Sequence, residues 1–81
     1  MGARVVLIGK PECHLCENAR LIIASVCDEL QVTWEEISIY DDPALADAYF
    51  ESIPVVLIDG KHHDQFRVDP ARLRAALTHS H

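Results

Sequence analysis

Lys10-Pro11-Glu12-Cys13-His14-Leu15-Cys16 separates a short apolar run, Val5-Val6-Leu7-Ile8, from a long amphipathic one that begins near Cys13. If a helix starts there, one turn carries Cys13 and Cys16 to the same end of it. Cys13 then stands at the helix N-terminus, where unpaired N–H groups and the macrodipole favour negative charge. A thiolate is such a charge, and it is the species that attacks disulfides. Cys16 is spaced to resolve the mixed disulfide that results.

The bulk properties narrow the field. The chain has 81 residues, which suits one small domain over 1–81. Apolar residues make up 49% of it, as in a globular fold rather than a disordered segment. The net charge of −6 argues against nucleic acid or an anionic membrane as partner, since both need a basic patch. No signal peptide or membrane span is legible, so a cytoplasmic location is expected. Three cysteines make a structural disulfide framework a poor reading; in a reducing compartment a Cys-x-x-Cys pair is transient and catalytic.

Outward from the cysteines, the pattern alternates. Arg4 to Ile8 reads as a strand covered on both faces. A helix from Cys13 or His14 to about Glu29 carries Leu15, Ala19, Ile22, Ile23, Val26, Cys27 and Leu30 on one face. Cys27 is read as core. Val32 to Ile39 is a second strand, and its charges place it at a sheet edge, with Trp34 packing. Asp42-Pro43 opens a short helix with Leu45, Ala48 and Tyr49 on one face, ending before Ile53-Pro54. Val55-Val56-Leu57-Ile58 is a second central strand, and Asp59-Gly60 turns the chain into the polar edge strand Lys61 to Phe66. His62 and His63 fall on opposite faces of that strand and read as solvated edge residues. Asp69-Pro70 opens a last helix with Leu73, Ala76 and Leu77 on its apolar face, and Thr78 to His81 forms a frayed tail. The order is β-α-β-α-β-β-α. Apolar strands in the middle give an α/β fold with a four-stranded mixed sheet, order 2-1-3-4, and helices on both faces.

Three functions fit these residues. A Cys-x-x-Cys pair beside a β-α-β pattern reads as a thioredoxin-like redox motif, a dithiol oxidoreductase with Cys13 and Cys16 catalytic. A metal or iron–sulfur module through the same cysteines is the alternative, although no second Cys-x-x-Cys or finger-like His pair is present. A non-catalytic interaction domain is the third.

The element order, the Cys-x-x-Cys heading the first helix, and Ile53-Pro54 before the third strand resemble the glutaredoxin branch of the thioredoxin-like superfamily, in particular short bacterial glutaredoxin-like proteins. The resemblance runs from Arg4 to Leu77. It implies a cis Ile53–Pro54 bond beside the cysteines, with Ile53 and Pro54 forming the edge that receives an extended substrate. It implies that Lys10 binds a substrate carboxylate. His14, next to Cys13, is expected to stabilise the thiolate, with Glu12 and Glu17 opposing it. The implied activity is thiol–disulfide oxidoreduction in redox homeostasis on disulfide-containing proteins or small disulfides. The redox-active disulfide Cys13–Cys16 serves in place of a bound cofactor, and the reductant is a low-molecular-weight thiol or a thioredoxin-reductase-like flavoenzyme. A monomer is expected. Two departures stand out: His14-Leu15 replaces the family's Pro-aromatic pair, and Gln65-Phe66-Arg67-Val68-Asp69 lacks the glycines that hold the glutamyl end of glutathione. Weak use of glutathione is expected accordingly.

Overall fold

The computed structural model describes residues 3–79, and the side chains of residues 3–78. Eight segments follow in order: β1 Val5–Gly9, α1 His14–Leu30, β2 Trp34–Ser38, a 3₁₀ turn Ile39–Asp41, α2 Pro43–Tyr49, β3 Val55–Ile58, β4 Lys61–Gln65 and α3 Pro70–His79. The sheet order is β2-β1-β3-β4. β1 runs parallel to β2 and antiparallel to β3, and β3 to β4 is an antiparallel hairpin. This is the α/β arrangement the apolar and polar runs require: the two aliphatic strands are central and the two charged ones lie at the edges.

Each helix begins on the residue type the chain supplies. The side chain of Asp42 accepts from Ala44 N–H at 2.9 Å, and that of Asp69 from Ala71 N–H at 2.9 Å, with proline at the next position in both. Helix α1 ends in a Schellman closure: Gln31 takes a left-handed φ of 55°, its N–H donates to Asp28 O, and Val32 N–H donates to Cys27 O. The Asp59-Gly60 turn has φ of 52° and 82°, as the type I′ reading of that pair demands.

The sheet buries unequal cores. On one face Val5, Leu7 and Val56 meet Ala19, Ile23, Val26 and Cys27 of α1 and Leu73 and Leu77 of α3. On the other, the smaller cluster holds Ile8, Ile39 and Val55 fully buried, with Leu45, Ala46, Tyr49 and Ile53 packed against them.

Several expectations change. Helix α1 extends one residue further, to Leu30, and β2 is shorter than Val32 to Ile39 because Ile39 turns into the 3₁₀ segment. In α2 it is Ala46 that packs and Ala48 that is exposed. A seven-residue helix turns only twice, so a small tilt decides which alanine faces the sheet. Thr78 belongs to α3, where its hydroxyl donates to Arg74 O at 3.0 Å, and the rest of the expected tail, beyond His79, lies outside the described residues. His63 is not a solvated edge residue. The register passes from Val56↔Asp64 to Leu57↔His62, so His63 is the extra residue of a β-bulge, half-buried with Nε2 out of reach of solvent.

Candidate active site

Cys13 is the N-cap of α1, with extended φ and ψ of −123° and 113°. Its carbonyl accepts from Glu17 N–H at 3.0 Å, and its Sγ accepts from Cys16 N–H at 3.2 Å. Sulfur thus does the work usually done by Ser or Asp at this position. The loop reaches that geometry through Glu12, which sits in the left-handed region at φ 57°. Cys13 is half-buried; Cys16 is fully buried one turn further on, and all three cysteines are free thiols.

Burial pushes the Cys16 thiol up from 9.0 to about 11. The hydrogen bond with the Cys13 side chain adds to this, and the main-chain N–H of Lys10 opposes it. Cys16 is therefore held as a thiol at neutral pH. Burial raises the Cys27 thiol as well, and that residue lies in the main core.

Cys16 approaches β1 closely. A Cβ on Gly9 would lie 2.9 Å from Cys16 Sγ, nearer than packed atoms tolerate. The pairing Ile8↔Val55, continued by one residue, sets Gly9 opposite Pro54. Ile53–Pro54 is cis and Pro54 is fully buried, so the proline loop and the cysteine loop share one end of the sheet. Phe66 N–H fixes the proline loop to the next connection by donating to Pro54 O at 2.8 Å. Ile53 itself packs in the smaller core.

The two other expected site residues, Lys10 and His14, flank the cysteines with side chains in different surroundings. Lys10 lines a cleft of about 400 Å³ with Pro11, Arg20, Glu36, Ser38 and Asp41. His14 is almost wholly exposed, 99% for its side chain, with Nδ1 directed at Glu17 Oε2, 3.5 Å away. Its ring thus faces solvent and a carboxylate. Sequence reading passed over two features. One is the near contact of Gly9, the last residue of β1, with Cys16, which no local residue pattern signals. The other is the fork of Arg20 on Glu36, at 2.7 and 2.8 Å, which is signalled by an arginine one helical turn beyond Cys16. Among the described residues no three His, Cys, Asp or Glu side chains gather as a metal site, and no helix is long and apolar enough to cross a membrane.

A four-stranded mixed sheet with paired cysteines at the first helix N-terminus and a cis-proline at the same end defines a thioredoxin-like fold of the glutaredoxin type. The chain belongs to the glutaredoxin-like domain family (DUF836), which residues 4–78 match. Uncharacterized proteins of Mycobacterium tuberculosis and Mycobacterium bovis are 29% identical to it over 95% of this chain and 84% of theirs. Among solved structures, a structural-genomics target from X. campestris superposes with a TM-score of 0.76 at 28% identity, covering 95% of this chain and 99% of that one. The glutaredoxin of Archaeoglobus fulgidus shares the fold with a TM-score of 0.60 at 19% identity, over 93% of this chain and 86% of its own.

Proposed function

We propose that the protein is a dithiol thiol–disulfide oxidoreductase. The observation that carries this reading is the Cys16 N–H to Cys13 Sγ hydrogen bond at the head of α1. It aims a donor at the sulfur that takes the negative charge, while the second sulfur waits, protonated and buried, one turn away. Cys13 Sγ attacks one sulfur of a substrate disulfide; the other sulfur leaves with the bonding pair and takes up a proton. Cys16 then gives up its proton and attacks Cys13 Sγ, forming the Cys13–Cys16 disulfide and releasing the second substrate thiol. Two electrons pass to the substrate, and a small thiol or a flavoenzyme reductase returns them.

Ile53 and Pro54 form the substrate edge in this reading. The main chain of Ile53 makes no hydrogen bond among the described residues, which leaves it open to an extended chain. Lys10 supplies a cation for a substrate carboxylate beside the cysteine loop. His14 takes a place at the outer rim. The test is a redox titration of the protein against dithiothreitol, followed by insulin reduction. Cys13→Ser is expected to abolish turnover and Cys16→Ser to accumulate a mixed disulfide. A protein that forms no Cys13–Cys16 disulfide at any potential is not this enzyme.

A further inference from the structure

The connection from β4 to α3 holds a strained aromatic residue that the fold does not require. Phe66 has φ 64°, in the left-handed region, and Arg67 N–H donates to Gln65 O at 2.8 Å across it. A two-residue hydrogen bond around a positive φ is the rare, strained form of γ-turn. Glycine suits it and a bulky residue does not. Phe66 is also 44% exposed, so much of its ring remains open to solvent in this strained position. Such an outlier points to function.

The surroundings of Phe66 form a site. Phe66 and Val68 face Leu15, Leu21 and Ile22 of α1 across a groove of about 390 Å³. Leu21 is 69% exposed, so this side of α1 presents apolar surface to solvent. The groove begins at Leu15, inside the Cys-x-x-Cys segment, and runs to Ile22 along α1, about 10 Å at the helical rise. An extended chain covers that in about three residues. Arg67 also lines the groove. Arg4, Arg20, Arg72 and Arg74 each face a carboxylate, whereas Arg67 faces none among the described residues. In a chain of net charge −6, an uncommitted cation beside an apolar groove calls for an acidic complement.

The geometry points to a docking groove for one class of substrate: an extended polypeptide whose disulfide lies at Cys13, with an apolar side chain about three residues away and a carboxylate next to it. The apolar side chain seats between Leu21, Ile22 and Phe66, and the carboxylate meets Arg67. This rests on the reading of Cys13 as the attacking sulfur.

The experiment uses disulfide dimers of the peptides Glu-Leu-Ala-Ala-Cys and Lys-Leu-Ala-Ala-Cys, with both chain directions tested, and hydroxyethyl disulfide as a small comparison. Wild type is expected to prefer the acidic peptide in kcat/KM by about fivefold, the order of one exposed charge pair, and Arg67→Glu to reverse the preference. Phe66→Gly, which relieves the turn, is expected to lower the ratio of peptide to hydroxyethyl disulfide turnover about tenfold without lowering the melting temperature. An unchanged ratio in Phe66→Gly, or an unchanged charge preference in Arg67→Glu, overturns the groove. A redox-inert peptide with serine for cysteine, titrated by NMR, reads the groove separately from the chemistry. Shifts at Leu21, Ile22 and Phe66 support it even if no disulfide is reduced, and their absence overturns it even if hydroxyethyl disulfide is turned over.

Discussion

Gly9 and Cys16 are in such close approach that a single methyl group on Gly9 would meet the sulfur at 2.9 Å and its Cβ at 3.3 Å. The helix start and the central strand are therefore set against each other by the lack of a side chain at one position. Gly9→Ala is expected to destabilise the reduced protein by about 1–3 kcal/mol, as overpacking does in a rigid core. It is also expected to slow closure of the Cys13–Cys16 disulfide, because the displaced atom is the sulfur to which the proposed function gives the resolving step. Urea denaturation and the decay of a Cys13 mixed disulfide measure the two effects; a Gly9→Ala variant equal to wild type in both removes the claim of a tight contact.

The buried thiols predict an alkaline loss of stability. Burial pushes Cys16 from 9.0 up to about 11 and moves Cys27 in the same direction. The native state thus keeps these protons to higher pH than the unfolded chain. Their contribution is intact below about 9 and is lost as pH rises through about 11. Reduced wild type should lose more stability over this window than Cys16→Ala/Cys27→Ala. Equal slopes for the two proteins in denaturation from pH 8 to 11 would contradict the assignment.

An acid limb is expected from His63. Burial first, then Arg72 and His62, lower its pKa below 6.5, with Asp64 opposing. The folded state binds this proton less readily than the unfolded chain, so the stability is present above 6.5 and lost as pH falls through the lower folded value. The setting fits the direction: His63 Nε2 and Asp64 Oδ2 are both buried without a hydrogen-bond partner, and the cation of Arg72 stands 3.4 Å from that carboxylate oxygen. His63→Gln should flatten the fall in melting temperature between pH 7 and 5. A slope as steep as that of wild type would place the acid limb elsewhere.

Glutathione should be a poor reductant. Asp69, the residue nearest to the family's anchor for the glutamyl end, already accepts Ala71 N–H at 2.9 Å and Arg72 N–H at 3.4 Å. Arg67, on the same connection, has the wrong sign for an ammonium group. A steady-state comparison on one disulfide substrate should show non-saturating rates with glutathione and saturation with a flavoenzyme reductase or another small thiol. Saturable turnover at micromolar glutathione would refute this.

The strands, caps and Cys-x-x-Cys helix were legible because each rests on local chemistry. Val5 to Ile8 and Val55 to Ile58 are aliphatic without interruption, Asp42-Pro43 and Asp69-Pro70 are helix starts, and Asp59-Gly60 fits only a tight turn. The missed features depend on exceptions to those rules. A bulge at His63 shifts the two-residue alternation by one, so the half-buried residue cannot be read from its strand position. Phe66 takes a conformation that composition assigns to glycine. His14 lies next to Cys13 in sequence, yet Cys13 is the extended cap and His14 the first helical residue, and the His14 ring ends beside Glu17.

The inequality of the two cores bears on how the site moves. Helix α2 has no fully buried residue, and its face of the sheet rests on Ile8, Ile39 and Val55, whereas α1 and α3 share a larger cluster. Amide exchange should therefore divide the molecule, with α2 opening at low free energy and α1 exchanging only through deep unfolding. Ile53 packs on the yielding side, whereas the two site cysteines stand at the head of α1, the helix that belongs to the larger cluster. In the proposed function, local breathing then loosens the edge assigned to a substrate chain while α1 holds the two thiols one turn apart, so that a fixed cysteine pair would be served by an adaptable entrance.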